Sequence, residues 1–224
     1  MKKIIIFTLT FLFILGCKSD KNNKIKNNDD EKIEVSPIKN ALVISKITSN
    51  QIPESISYKG TFKEGYIWKN KNEDNIIFIT ETGEFLNINE EGRDAELFAY
   101  CYNSKTGKLV WKVYDFIKDC PVDIIAEFTN NTFNVTDLNK NGIAEVWLMY
   151  ETACKGDVSP NDMKIIMYEG KQKFAMRGQN KIQLGIDENN NPVIDGGAYK
   201  FDKAFTSGPQ IFKSYAQKLW AKHL

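Results

Sequence analysis

Histidine is nearly absent, with one in 224 residues, His223, beside the chain end. A Ser-His-Asp or Cys-His machine needs an imidazole held within hydrogen-bond reach of its nucleophile, and a terminal position is a poor place to hold one. An excess of charge of one sign is also lacking. Thirty Lys and Arg residues stand against 29 Asp and Glu, so no global bias draws the chain to nucleic acid or to anionic lipid head groups. Neither a P-loop nor a dinucleotide fingerprint occurs, which leaves nucleotide-dependent chemistry without a visible seat. The apolar run from Ile4 to Leu15 falls short of the ~20 residues that a membrane-spanning helix needs.

That run has a different meaning. Lys2 and Lys3 precede it, and "ILGC" (Ile14 to Cys17) ends it. Its length and flanks are those of a secretory signal core. The ending resembles a bacterial lipobox: an aliphatic residue at −3, Gly16 at −1, then cysteine. In such signals the cysteine is diacylated and becomes the first mature residue. Residues 1–16 are therefore expected to be a signal peptide and Cys17 the lipidation site, with acyl chains rather than a basic patch making the membrane contact. Residues 18–40 are rich in Lys, Asn and Asp and hold no aromatic residue. They bury too little apolar surface to offset ordering entropy, so 17–42 is expected to be a lipidated tether. Asp20, Asp29, Asp30 and Glu31 loosely match the acidic export signal of Bacteroidota lipoproteins. The expected location is the outer membrane, on either face.

From Val43 the composition turns globular, and residues 43–224 suit one domain with a single core. Short β runs separated by turn residues dominate. "NIIFIT" (75–80) is apolar on both faces, as a central strand would be. "AELFAYCY" (95–102) meets "KLVWKVYDF" (108–116) across a loop with a glycine, and Leu109, Trp111 and Val113 alternate onto one face. "DIIAEF" (123–128) is expected to turn at Asn130-Asn131 into "TFNVT" (132–136). "MKIIMY" and "QKFAMR" flank Glu169-Gly170-Lys171, and "KIQLGI" with "PVIDGG" reads as a last, weaker hairpin. Near the end the period changes to that of a helix. Ile211, Tyr215 and Leu219 form one row and Phe212, Ala216 and Trp220 a second, after Ser207 as cap and Pro209 at the first helical position. The expected fold is mainly β, an antiparallel meander arranged as propeller-like blades or a sandwich, closed by a C-terminal helix. "FLNINEEGRDAELFAY" (85–100) faintly echoes "FNVTDLNKNGIAEVWLMY" (133–150).

"DLNKNGIAEVW" (137–147) places oxygen-bearing side chains at alternate positions. Asp137, Asn139 and Asn141 stand at positions 1, 3 and 5, Gly142 at 6, the Ile143 carbonyl at 7 and Glu145 at 9. That is a donor set for a hard cation such as calcium. An EF-hand would need an acid at position 12, where Leu148 stands. The loop instead resembles the "DxNxNGxxE" loop of FG-GAP and VCBS repeats, which joins two antiparallel strands. With two formal negative charges and Lys140 inside the loop, any calcium site is expected to be weak. The competing reading is a plain Asn-Gly hairpin turn. "DENNNPVID" (187–195) has similar spacing, but Pro192 holds position 6 and cannot adopt the left-handed turn.

With Cys17 lipidated, three cysteines remain. Cys101 reads as a buried thiol. Cys120 and Cys154 are the best disulfide pair in an oxidising envelope, and Cys101 with Cys120 is the alternative. Glu127, Glu145, Glu151 and Asp157 could in principle supply a carboxylate pair. Tyr66, Trp68, Tyr100 and Tyr102 are the aromatics that could face a ligand, although cross-strand packing is their commoner use.

By "DLNKNGIAEVWLMY", "GDVSPNDMKIIMYEGKQKFAMRGQNK" (156–181) and "DCPVDIIAEF" (119–128), the chain resembles flavobacterial lipoproteins labelled surface polysaccharide biosynthesis proteins. The resemblance runs from about Tyr58 to Lys181. It implies a link to lipopolysaccharide or capsule and names no reaction and no catalytic residue. The function expected is a non-enzymatic envelope binding or accessory module, with a surface glycan or envelope protein as partner and no nucleic acid. The alternatives are a carboxylate-dependent polysaccharide-active enzyme and a purely structural lipoprotein.

Overall fold

A computed structural model describes residues 42–69, 74–87 and 92–224. The signal segment, Cys17 and nearly all of the expected tether lie outside the described residues. Leu42, the first residue described, already packs against the core. None of the helices among the described residues is long and apolar enough to cross a membrane.

The first half of the domain is an antiparallel meander of five strands in sequence order. They are β1 (Val43–Ile47), β2 (Thr61–Lys69), β3 (Asp74–Leu86), β4 (Arg93–Asn103) and β5 (Leu109–Cys120). Asn75 to Thr80 lie in the middle strand and are buried without a break, which is why this run carries no polar face. The outer face of the sheet is covered by residues 48–60, whose Ile52 and Ile56 pack with Ile76, Phe78, Phe98 and Tyr100. Two hydrogen bonds pin this strap: Lys59 N donates to Tyr100 Oη at 3.1 Å, and Thr80 Oγ1 donates to the Lys59 carbonyl at 2.6 Å.

The second sheet is built around β8 (Glu145–Lys155), β9 (Asp162–Glu169), β10 (Gln172–Gln179) and β13 (Tyr199–Phe201). Strands β6 (Asp123–Phe128) and β7 (Asn134–Thr136) complete it, and both pair with β8. This corrects the expected turn at Asn130-Asn131, because β6 and β7 do not fold back on each other. They run in series along β8, interrupted by a kink in which Asn131 adopts a left-handed φ of 60°. The kink lets Phe133 and Val135 re-enter the core. Strands β11 (Lys181–Ile186) and β12 (Pro192–Gly196) form a separate two-stranded hairpin.

The two sheets face each other, so the architecture is a sandwich rather than propeller blades. Ile77, Ile79, Leu97, Ala99 and Trp111 from the first sheet meet Val146, Leu148, Tyr150, Ile166 and Tyr168 from the second. Trp111 stacks on Tyr168 with ring centroids 4.1 Å apart. Leu109 is half exposed, because a register shift beside Tyr102 breaks the alternation and puts Val110 against the core in its place.

Two helices cover the far face of the second sheet, α1 (Lys203–Ser207) and α2 (Gln210–Lys222). Phe212, Ala216 and Trp220 are fully buried against Trp147, Met149, Met163 and Ile165, while Ile211 on the other row is exposed. Ser207 does not cap the long helix; it ends α1, and Pro209 is the residue just before α2. The side-chain cap belongs to Asp202, which accepts from Phe205 N at 2.8 Å.

Cys120 at the end of β5 is joined to Cys154 on β8, with Cα atoms 5.7 Å apart, and Cys101 is a buried thiol. The bond ties one sheet to the other. It spans 34 residues, so the chain-entropy argument assigns it about 3–4 kcal/mol. A Cys120→Ser/Cys154→Ser double variant is expected to lose stability of that order in urea denaturation. Equal midpoints and slopes for the two proteins would show that the bond does not constrain the unfolded chain.

Candidate metal centre

The loop 137–144 closes between β7 and β8, where Thr136 pairs with Glu145. Two residues within it have left-handed backbone, Lys140 at φ 58° and Gly142 at φ 81°. A Cβ on Gly142 would meet no atom within 4 Å. Backbone conformation, not crowding, is therefore what favours glycine there.

The side chains fold inward along the loop. Asp137 Oδ2 accepts from Gly142 N at 3.1 Å. Asn139 Oδ1 accepts from Asn141 N at 3.1 Å, and Asn141 Oδ1 accepts from Ile143 N at 2.8 Å. Glu145 is fully buried, and its Oε2 accepts from Leu138 N at 2.8 Å and Thr136 Oγ1 at 2.7 Å. Trp147 Nε1 donates in turn to Thr136 Oγ1 at 2.9 Å. These bonds leave two carboxylate oxygens, Asp137 Oδ1 and Glu145 Oε1, buried and without a hydrogen-bond partner among the described residues. Burial pushes the Glu145 carboxyl above its ordinary value against the pull of the Leu138 amide, the Thr136 hydroxyl and the Asn139 backbone amide, and the Asp137 charge adds to the rise.

An orphaned carboxylate oxygen under a polar loop is the feature a cation would satisfy, since a buried anionic oxygen without a partner is costly. Asp137, Asn139, Asn141, the Ile143 carbonyl and Glu145 supply five donors, one short of the six to eight that calcium takes, so water would have to complete the shell. Bound there, calcium would neutralise the two acids and stiffen the turn. Among the described residues, no three Asp, Glu, His or Cys side chains gather as a metal cluster. Any ion at the loop would therefore have to rely largely on amide and backbone oxygens.

One acid at the loop was not evident from its spacing. Glu169, at the end of β9, lies opposite Glu145 in the register of the two strands. Its Oε1 accepts from Asn139 Nδ2 at 2.6 Å and from Asn141 Nδ2 at 2.8 Å. The second loop behaves as a turn: Asp187 Oδ1 accepts from Asn189 N and Asn191 N, both at 2.8 Å.

The other candidates are scattered. Glu127 and Glu151 lie opposite each other on β6 and β8, but Glu151 is engaged by the amides of Asn161 and Asn180. Asp157 is exposed and bound to Ser159. A cleft of about 210 Å³ is lined by Glu81, Glu84 and Glu127. There Glu81 pairs with Lys63 and Glu84 with Arg93, so neither stands ready as a proton donor. Tyr66, Trp68 and Tyr100 are buried and Tyr102 is half-buried; they pack across strands rather than facing solvent. The more exposed Tyr114 and Phe116 stack on each other. Comparison with protein-family models, curated proteins and solved structures finds no match.

The raised Glu145 carboxyl gives a signed pH dependence. Its folded value lies above the ordinary 4.5, so its favourable contribution is present at lower pH and is lost as pH rises through the folded value. Without metal, Glu145→Gln is expected to raise Tm at pH 7 and to flatten the pH–stability curve just above 4.5. A lower Tm at pH 7 for the variant would contradict the burial cost assigned to the charge.

Proposed function

We propose that the chain is an outer-membrane lipoprotein of the cell envelope, anchored by acyl chains on Cys17, whose sandwich is a non-enzymatic binding module. Its loop 137–145 holds calcium weakly. The observation that carries the calcium reading is the pair of buried oxygens, Asp137 Oδ1 and Glu145 Oε1, that have no hydrogen-bond partner among the described residues. The anchor rests on the lipobox, and the link to surface polysaccharide rests on the family resemblance. The binding-module reading is preferred to the carboxylate-enzyme alternative because two of the three acids of the acidic cleft, Glu81 and Glu84, are committed to ion pairs.

The surface offers one face suited to an acidic glycan. Lys164, Arg177 and Lys200 pair in register across β9, β10 and β13, forming a row on one face of the sheet. Lys164 is held by Asp115 at 2.6 Å, whereas Arg177 and Lys200 are exposed. Like charges side by side on a sheet are unfavourable, and an acidic polymer would relieve them. Asp115, on Lys164, and Asp162, two residues from it, offset part of the charge of the three bases without cancelling it.

Calorimetric titration of calcium into the full chain in mild detergent tests the loop. Binding in the ~0.1–1 mM range of extracellular modules is expected, with no binding by Asp137→Ala. No heat from the unaltered chain at several-fold above ~1 mM would leave the loop a hairpin turn and favour a structural lipoprotein. A separate measurement tests the partner. Retention on polygalacturonate at low salt is expected to fall about tenfold or more in Arg177→Ala/Lys200→Ala, with no retention on neutral dextran. Equal retention of the variant would move any glycan contact elsewhere, and shortening of the polymer would favour the enzyme.

A further inference from the structure

We propose that Glu169, outside the loop motif, is the positioning residue of the calcium site. It sets the Asn139 and Asn141 oxygens toward the ion and brings a third negative charge to the site. The inference rests on the calcium reading of loop 137–145 and goes beyond it, because no spacing in the motif requires an acid on a neighbouring strand.

Its first support is the orientation of the two amides. A single oxygen, Glu169 Oε1, accepts from both Asn139 Nδ2 and Asn141 Nδ2, at 2.6 and 2.8 Å. A carboxylate oxygen only accepts, so an amide oxygen cannot take either place. Both amides are thereby locked with nitrogen toward Glu169 and oxygen away from it. Each Oδ1 accepts one backbone N–H, from Asn141 and from Ile143, and an amide oxygen has two lone pairs. One pair on each is left over for a cation. An outer carboxylate that fixes the tilt of an inner donor is a recurrent device of metal sites, and its loss costs about 10–100-fold in affinity.

Charge gives the second support. Glu145 and Glu169 are register partners on adjacent strands, so their side chains share a face. Like charges directly opposite are unfavourable. Asp137 adds a third acid, and none of the three joins an ion pair among the described residues. Lys140, within the loop, forms no ion pair with them either. A divalent cation is the counter-charge this arrangement lacks. Glu169 acts through the two asparagines rather than as a direct ligand, which agrees with the absence of a three-acid cluster among the described residues.

Glu169→Ala and Glu169→Gln separate orientation from charge. With calcium titrated calorimetrically into the full chain in mild detergent, Glu169→Ala is expected to weaken binding by about 10–100-fold. Glu169→Gln keeps an amide oxygen that can accept from both asparagines, so it is expected to lose less. Its remaining deficit should shrink as salt screens the missing charge. A purely structural role would lower the metal-free Tm. The positioning role predicts a metal-free Tm unchanged or raised, because repulsion with Glu145 is relieved. If the unaltered chain binds calcium and Glu169→Ala binds it equally well, the inference fails and the calcium reading stands. If affinity and metal-free Tm fall together in both variants, Glu169 is only a structural residue. If the unaltered chain takes up no calcium, the calcium reading itself fails and the inference with it.

Discussion

A carboxyl buried at the head of a central strand is the constraint on which the rest of the structure depends. Strand β8 has β6 and β7 along one edge and β9 along the other, and the residues from Glu145 to Tyr150 are buried without exception. Glu145 opens that strand with no exposure to solvent. An ionised group in such a place must be compensated locally or it disfavours the fold. The Leu138 amide and the Thr136 hydroxyl compensate one of its oxygens. The other, Oε1, has no hydrogen-bond partner among the described residues, while the asparagines of the adjoining turn bond Glu169 on β9.

The surrounding sandwich makes that position rigid. The inner face of β8 packs against the first sheet through Val146, Leu148 and Tyr150, and the outer face packs against the helices through Trp147 and Met149. The disulfide reaches β8 at its far end through Cys154. Trp147 links packing to site directly, since its ring touches Tyr215 of α2, with centroids 4.4 Å apart, while its Nε1 holds Thr136. A loop supported in this way would lose little conformational entropy if it bound an ion, and that would offset part of the weakness expected from two acids and a lysine in the motif itself.

Much of this was legible in the sequence, for local reasons. The run 75–80 has no polar face because both faces of β3 are covered, and the row Phe212, Ala216 and Trp220 follows the helical period. The strand–loop–strand context of 137–145 could be read because its polar residues and Gly142 fall between two β runs, and the loop does close between β7 and β8. What was not legible depends on register or on short elements. Glu169 reaches the loop only because β9 pairs with β8, and no spacing rule gives that pairing. Helix α1 spans five residues, too few for a periodic pattern. Asn130-Asn131 has the composition of a hairpin turn yet serves as a kink between collinear strands. The alternation of Tyr100 and Tyr102 along β4 would suit a ligand face as well as the cross-strand packing expected of them; Tyr100 is buried and Tyr102 half-buried. Strand alternation fixes which side chains share a face but not what covers that face.

The most direct test of the account is a crystal structure grown with calcium, read for anomalous signal at the loop. The account predicts one ion within about 2.3–2.6 Å of both Asp137 Oδ1 and Glu145 Oε1. Asn139 and Asn141 would direct their oxygens to it, with their nitrogens still on Glu169. A loop without anomalous signal at saturating calcium, with Glu145 Oε1 bound to water or protonated, would contradict it.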